Sequence, residues 1–141
     1  MVDSRFVREY FHANIPRSHG VALECGQDGD VAWVRITPAA NPGRWVVVSS
    51  PGNRWFSVGV EGGYSYDYVD EDLDREEVEG ALDELLEISA EYISSGGSWS
   101  TEGWLKSPVL LVNTSQGVRV LRRDVLVNLR DFLRRWFGNA R

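Results

Sequence analysis

Between residues 21 and 69 the chain consists of five short β-type segments separated by turns, and this pattern restricts the fold more than any other feature. The segments are rich in Val, Trp and Tyr, while the turns contain Gly, Pro, Asp and Asn. Short turns of this kind join neighbouring antiparallel strands. We therefore predict a meander with strands over residues 21–25, 31–37, 44–50, 54–61 and 64–68.

Helical spacing appears on both sides of this meander. The strongest example covers residues 75–94, where apolar side chains recur every three or four positions. Asp74 and Glu77 form a capping-box pattern at its start, and two glycines follow its end. A first helix begins near Asp3 or Ser4 and ends before Pro16, and a last helix is predicted over 124–137.

A second β-hairpin, over residues 109–113 and 118–121, separates the last two predicted helices. Strands followed by helices are typical of the α+β class. We predict a single α+β domain over residues 1–141, with a mainly antiparallel sheet of about 5–7 strands, formed by the meander and the hairpin. Three helices are expected to pack against this sheet.

The size and composition of the chain exclude several classes of protein. No apolar run is long enough to cross a bilayer, so no membrane partner is expected. The first residues are charged and lack the apolar run of a secretion signal. Cys25 is the only cysteine, which excludes an internal disulfide, and its place in a predicted strand suggests a core position. We expect a cytoplasmic protein.

Negative charge is concentrated in one part of the chain. The formal net charge is −6, yet residues 61–91 alone contain thirteen acidic residues and one base, Arg75. Four of these acids are spaced four residues apart on the long helix and form one row along it, named here the acidic row: Glu79, Asp83, Glu87 and Glu91. Like charges at this spacing each destabilise a helix by roughly 0.2–0.5 kcal/mol.

Three interpretations of the acidic row remain open. The carboxylates can simply keep the outer face of the helix in water, or pair with the arginines near the C-terminus. Alternatively, they form a patch that attracts a protein with a basic surface. A nucleic-acid partner is not expected, because a phosphate backbone requires a basic surface.

Two groups of aromatic residues are further candidates for partner binding. Tyr64, Tyr66 and Tyr68 alternate along one strand and therefore share a face, with Trp55 on the neighbouring strand. They are either a platform for a ligand or a cover for the sheet beneath a helix. Trp99 and Trp104 lie in a predicted polar loop, where an exposed indole is a candidate binding hot spot.

No motif indicates a metal or a cofactor, and none is expected. The acidic run that starts at Asp70 resembles the first half of a calcium loop, but Arg75 and Ala81 occupy positions where that loop needs Gly and Glu. His12 and His19 are the only histidines, too few for a zinc site even with Cys25.

These features favour a non-catalytic protein-binding module with an acidic face. One specific form is an immunity or inhibitor protein that masks a basic toxin or effector. A homodimer that resembles a secretion chaperone or an adaptor is the alternative, on the basis of element order alone. A small hydrolase is less favoured, because its carboxylates fall in a polar segment where nothing would raise a carboxyl pKa.

Overall fold

A computed structural model describes residues 2–15 and 20–123, which form an α+β fold with two helices and eight strands. Helix α1 (Ser4–Asn14) is followed by β1 (Val21–Asp28), β2 (Val31–Pro38), a short 3₁₀ turn (Pro42–Arg44), β3 (Val46–Ser50), β4 (Trp55–Val60) and β5 (Tyr64–Val69). Helix α2 (Arg75–Ser95) comes next, and then β6 (Ser98–Glu102), β7 (Ser107–Thr114) and β8 (Gly117–Leu121).

The strands form two antiparallel sheets instead of the predicted single sheet. The first sheet has the order β1-β2-β3-β4-β5, as expected for a meander, and the second has the order β6-β7-β8. A single bridge between Ser65 and Arg122 links β5 to β8, with both N–H···O distances at 2.9 Å. Helix α2 contacts β3 and β4 of the first sheet and β7 of the second, so it lies against both.

The predicted number of elements is partly wrong. There are eight strands instead of about 5–7, mainly because residues 98–102 form β6 where a loop was predicted. This segment is polar, and it becomes a strand through pairing with β7, between Ser98 and Leu111 and between Glu102 and Ser107. The helix predicted over 124–137 lies outside the described residues, so the described part contains two helices rather than three.

The capping residues at the helix ends lie where the sequence predicts them. The Asp3 side chain caps α1 by accepting a hydrogen bond from the Phe6 amide at 3.1 Å. In α2, Asp74 accepts from the Glu77 amide at 2.8 Å and Glu77 accepts from the Asp74 amide at 3.2 Å, which completes the capping box. Gly96 ends the helix with φ of +77°, a left-handed conformation that favours glycine.

The core lies between the helices and one face of the first sheet, and it continues onto β7 and β8. Strand β2 alternates as a half-buried strand should, with Ala32, Val34 and Ile36 inside. The largest fully buried side chains are Phe11, Phe56, Leu82, Leu85, Ile88, Leu110 and Leu121. The opposite face of the first sheet carries no described helix, and we call it the open face; it includes Trp33, Arg35, Val47, Ser49 and Ser57.

Cys25 is exposed, so the prediction of a core position is wrong. Its side chain faces the same side as its buried cross-strand partner Val34. However, β1 is at the edge of the sheet, where little packs over it.

Candidate partner-binding surface

The acidic row lies on the part of α2 that is turned away from the core, but its members are not equally exposed. Asp83 is exposed, while Glu79, Glu87 and Glu91 are half-buried along the flanks of the helix. The buried positions of α2 form the opposite stripe: Val78, Leu82, Leu85, Ile88, Ser89 and Tyr92. The row therefore remains at the surface, although its side chains lie closer to the protein than the sequence alone suggests.

Only one member of the acidic row has an arginine partner among the described residues. Glu79 forms an exposed ion pair of 3.3 Å with Arg75, one turn earlier in the same helix. Asp83 accepts a hydrogen bond from the Tyr10 hydroxyl of α1. Glu87 accepts from both the backbone amide and the hydroxyl of Ser115, in the turn between β7 and β8.

Neutral donors position these carboxylates without cancelling their charge. The hydrogen bonds from Ser115, the backbone amide first and the hydroxyl second, hold the pKa of Glu87 below its ordinary value of 4.5. On the other side of the row, burial and the hydrogen bond to Asp83 raise the pKa of the Tyr10 hydroxyl, which therefore stays neutral. Glu87 thus keeps its negative charge near neutral pH.

A more buried ion pair is formed by Glu84 rather than by a member of the row. Glu84 accepts from the Arg119 guanidinium of β8, and the two side chains are 23% and 21% exposed. The Tyr66 hydroxyl donates to the same Glu84 oxygen at 3.1 Å. Glu84 therefore joins α2 to both sheets. The arginines beyond residue 123, which were considered as partners of the acidic row, lie outside the described residues.

The tyrosine stripe faces the helices. In β5, Tyr64, Tyr66 and Tyr68 pair with Val60, Val58 and Phe56, three buried residues of β4, which places the rings on the core side. Tyr64 is buried, Tyr66 is half-buried and Tyr68 is exposed at the end of the stripe. The stripe therefore mainly covers the sheet beneath α2. Trp55 pairs with Val69 and lies on the open face, away from the tyrosines.

Trp99 and Trp104 are the most exposed aromatic side chains of the described residues. Trp99 lies on the edge strand β6 and is 62% exposed, and Trp104, in the turn after β6, is 88% exposed. The Trp99 ring packs against the buried Tyr64 ring in a T-shaped arrangement, with centroids 4.9 Å apart. Trp99 is therefore held in place on its inner side and presents its outer side to solvent.

The open face contains aromatic residues whose role the sequence analysis missed. The Trp33 indole lies against Gly26 of β1, so closely that a β-carbon at residue 26 would overlap the ring. The Arg35 guanidinium lies over the Trp45 ring, 4.7 Å from its centroid. The alternation of Trp33 and Arg35 with the apolar residues of β2 was the available signal for this second face.

Two shallow depressions lie outside the acidic row. One crosses the open face and is lined by Glu24, Trp33, Arg35, Val47 and Ser49, among others. The other lies where β5 and β8 separate, with Ser65, Asp67 and Arg122 in its lining.

Among residues 2–15 and 20–123, no cluster of three or more His, Cys, Asp or Glu side chains is placed to hold a metal ion. In the same ranges, neither helix has the length and apolar character needed to cross a membrane.

The chain matches no protein-family model, no curated protein and no solved structure.

Proposed function

We propose that this protein is a non-catalytic binding module whose partner is a protein with a basic surface. The exposure of Trp99 and Trp104 carries this proposal. Indole side chains bury 150–250 Å² when they are covered, and tryptophan is enriched among the residues that dominate binding energy. Two of them on one edge strand and its turn are a candidate contact surface.

The acidic row supports the choice of a basic partner. Hydrogen bonds from the neutral groups of Tyr10 and Ser115 fix the directions of Asp83 and Glu87 while leaving their charge in place. Fixed charges lose less conformational entropy on binding than mobile ones. We expect them to accelerate association, whereas the tryptophans mainly slow dissociation.

The specific form that we favour is an inhibitor or immunity protein in the cytoplasm that masks a basic toxin or effector. Opposed charges make capture of such a partner fast, which suits a protein that must act before its target does. The alternative, a chaperone-like or adaptor homodimer, is supported by a separate feature: one edge of β1 pairs with no other strand among residues 2–15 and 20–123.

Affinity capture from cells of the source organism tests this proposal. The bait proteins are the wild type, Trp99→Ala/Trp104→Ala and, as a matched control, Trp55→Ala on the open face. We expect the wild type and the control to retain one basic protein, and the double variant to lose it. Retention should also fall as the salt concentration rises, because ions screen exposed charges. Equal retention by all three baits, or retention independent of salt, would contradict the proposal.

A further inference from the structure

Strand β1 has a free edge in the described part of the chain. It pairs with β2 on one side over eight residues, and no other described strand pairs with it. Natural edge strands are commonly protected by proline, lysine, a bulge or a covering element. Strand β1 contains no proline, its only charged residues are Glu24 and Asp28, and its pairing with β2 is continuous from Val21 to Asp28.

The direction of its backbone groups follows from the turn. A two-residue turn, Gly29 and Asp30, joins the two strands, so the closing pair of Asp28 and Val31 is a hydrogen-bonded pair. In the residues between the hydrogen-bonded pairs, the backbone N–H and C=O groups point away from β2. Two observations agree with this assignment: Pro38, opposite Val21, has no N–H to donate, and the Ala39 amide donates to the Gly20 carbonyl at 2.7 Å. Hence Val21, Leu23 and Cys25 direct their N–H and C=O groups to the free edge.

The side chains of these three residues are apolar and only partly covered. Their partners in β2 are Pro38, Ile36 and Val34, all buried, which places them on the helix side of the sheet. Leu23 is nevertheless 37% exposed and Cys25 is exposed, because they lie at the margin of the core. The free edge therefore combines an apolar strip with backbone groups that no described strand pairs.

We propose that β1 pairs antiparallel with β1 of a second copy of this chain, with the two Leu23 residues opposite each other. In this register Val21 lies opposite Cys25 of the second copy, so the apolar residues match. About six backbone hydrogen bonds form between the chains, two at each of three pairs. The pairing is isologous and closes after two chains.

Charge and polarity disfavour the two registers that are shifted toward the turn. Glu24 lies opposite Ala22 of the second copy, and within its own chain it lies beside Arg35 on the open face. In the register that sets Glu24 opposite Glu24 of the second copy, two carboxylates would face each other directly, which is unfavourable. In the register that sets Cys25 opposite Cys25 of the second copy, the apolar Leu23 would lie opposite the polar Gln27.

The dimer extends the five-stranded sheet across two chains and does not depend on the function proposed above. Strands β1 and β6 are terminal strands of the two different sheets. Pairing through β1 therefore does not use β6, and a dimer in which both copies of Trp99 and Trp104 stay accessible is bivalent. Because one strand pair contributes less than the 1,200–2,000 Å² of a standard interface, we expect a dimer that dissociates on dilution.

Cysteine cross-linking of the full chain tests the register. A hydrogen-bonded antiparallel pair has Cα atoms about 5.5 Å apart, within the range that a disulfide spans. Val21→Cys should therefore oxidise to a covalent dimer through Cys25 of the second copy. Residues 21 and 25 of one strand are about 13 Å apart and cannot join each other. The wild type, and Val118→Cys as an exposed control on β8, should remain monomeric on a non-reducing gel.

Sedimentation equilibrium tests the dimer itself. The wild type should shift from monomer to dimer as its concentration rises from micromolar to near-millimolar. Leu23→Glu, which sets two carboxylates against each other, should remain monomeric, while the matched control Val118→Glu should behave as the wild type. A wild type that is monomeric throughout, a dimer that tolerates Leu23→Glu, or a wild-type disulfide through Cys25 would overturn the proposal. Capture of a basic partner is measured separately, so the two proposals can fail independently.

Discussion

The Tyr10 hydroxyl of α1 donates a hydrogen bond to the Asp83 carboxylate of α2, and this bond links the two helices on the outer side of the fold. It also places a neutral donor against one of the four acids of the acidic row. Tyr10 thus orients the carboxylate of Asp83 without adding a positive charge beside it. Two predictions concern such internal hydrogen bonds.

Replacing Tyr10 by Phe should destabilise the protein at neutral pH by about 1 kcal/mol, the usual contribution of one hydrogen bond. The same substitution should reduce the loss of stability in alkali. Burial and Asp83 raise the pKa of folded Tyr10, so above pH 10.0 the unfolded chain loses this proton first and gains relative stability. Urea denaturation at several pH values measures both effects. Tyr68→Phe, whose hydroxyl bonds Asp70 within the same segment and links no helices, serves as a control for the effect at neutral pH only. If the free energy of unfolding falls equally steeply with pH above 10.0 in Tyr10→Phe and in the wild type, the Tyr10 hydroxyl does not contribute to the alkaline loss of stability.

Glu87→Gln should lower the free energy of unfolding at pH 7 by about 0.5 kcal/mol, because the bonds from Ser115 favour the ionised form in an exposed setting. The pKa of folded Glu87 lies below its unfolded value of 4.5, so its contribution is present above that pH and is lost as pH falls through the folded pKa. Wild type and variant should therefore converge in acid. Glu91→Gln, at the next position of the row, removes the same charge without removing a bond from Ser115, and it should lower stability at pH 7 less than Glu87→Gln does.

The contact between Trp33 and Gly26 predicts a specific coupling across the open face. Gly26→Val should displace the indole and cost about 1–3 kcal/mol, in the range seen when a side chain is forced into occupied space. Trp33→Ala removes the obstacle, so the double variant should be more stable than the sum of the single effects implies. Chemical denaturation of the four proteins measures the coupling. Simple additivity would mean that the indole does not rest on residue 26.

The bond between Glu84 and Arg119 is expected to be the strongest of the described ion pairs. Both partners are mostly buried, and each single substitution, Glu84→Gln or Arg119→Met, leaves its partner without its counterion. We expect a loss of about 1–3 kcal/mol for each and a smaller loss for the double variant than their sum. The exposed pair of Arg5 and Glu9 is the control, and its removal should change stability by well under about 1 kcal/mol.

The sequence predicts the elements whose signals are local. The caps of α2 at Asp74 and Gly96 and the order of the first five strands depend on neighbouring residues, and the structure confirms them. Strand β6 was missed because its pairing partner β7, rather than its own polar sequence, makes it a strand. The exposure of Cys25 follows from the position of β1 at the sheet edge, which periodicity does not reveal.

Part of the candidate partner-binding surface could also be predicted from the sequence. The four-residue spacing places the acidic row on one line of α2, but the donors that hold it, Tyr10 and Ser115, come from distant parts of the chain. The shared face of the three tyrosines follows from alternation, whereas its direction toward the helices depends on the pairing of β5 with β4. Such long-range relationships require the folded structure.

The most direct test of the binding proposal is the dissociation constant for the purified protein that the wild type captures, measured by calorimetry at low and high salt. We expect Trp99→Ala/Trp104→Ala to weaken binding at both salt concentrations, by at least about 2 kcal/mol. Asp83→Asn/Glu91→Gln should weaken it mainly at low salt, where charges are least screened. Unchanged affinity in both variants would contradict a partner surface formed by these tryptophans and the acidic row.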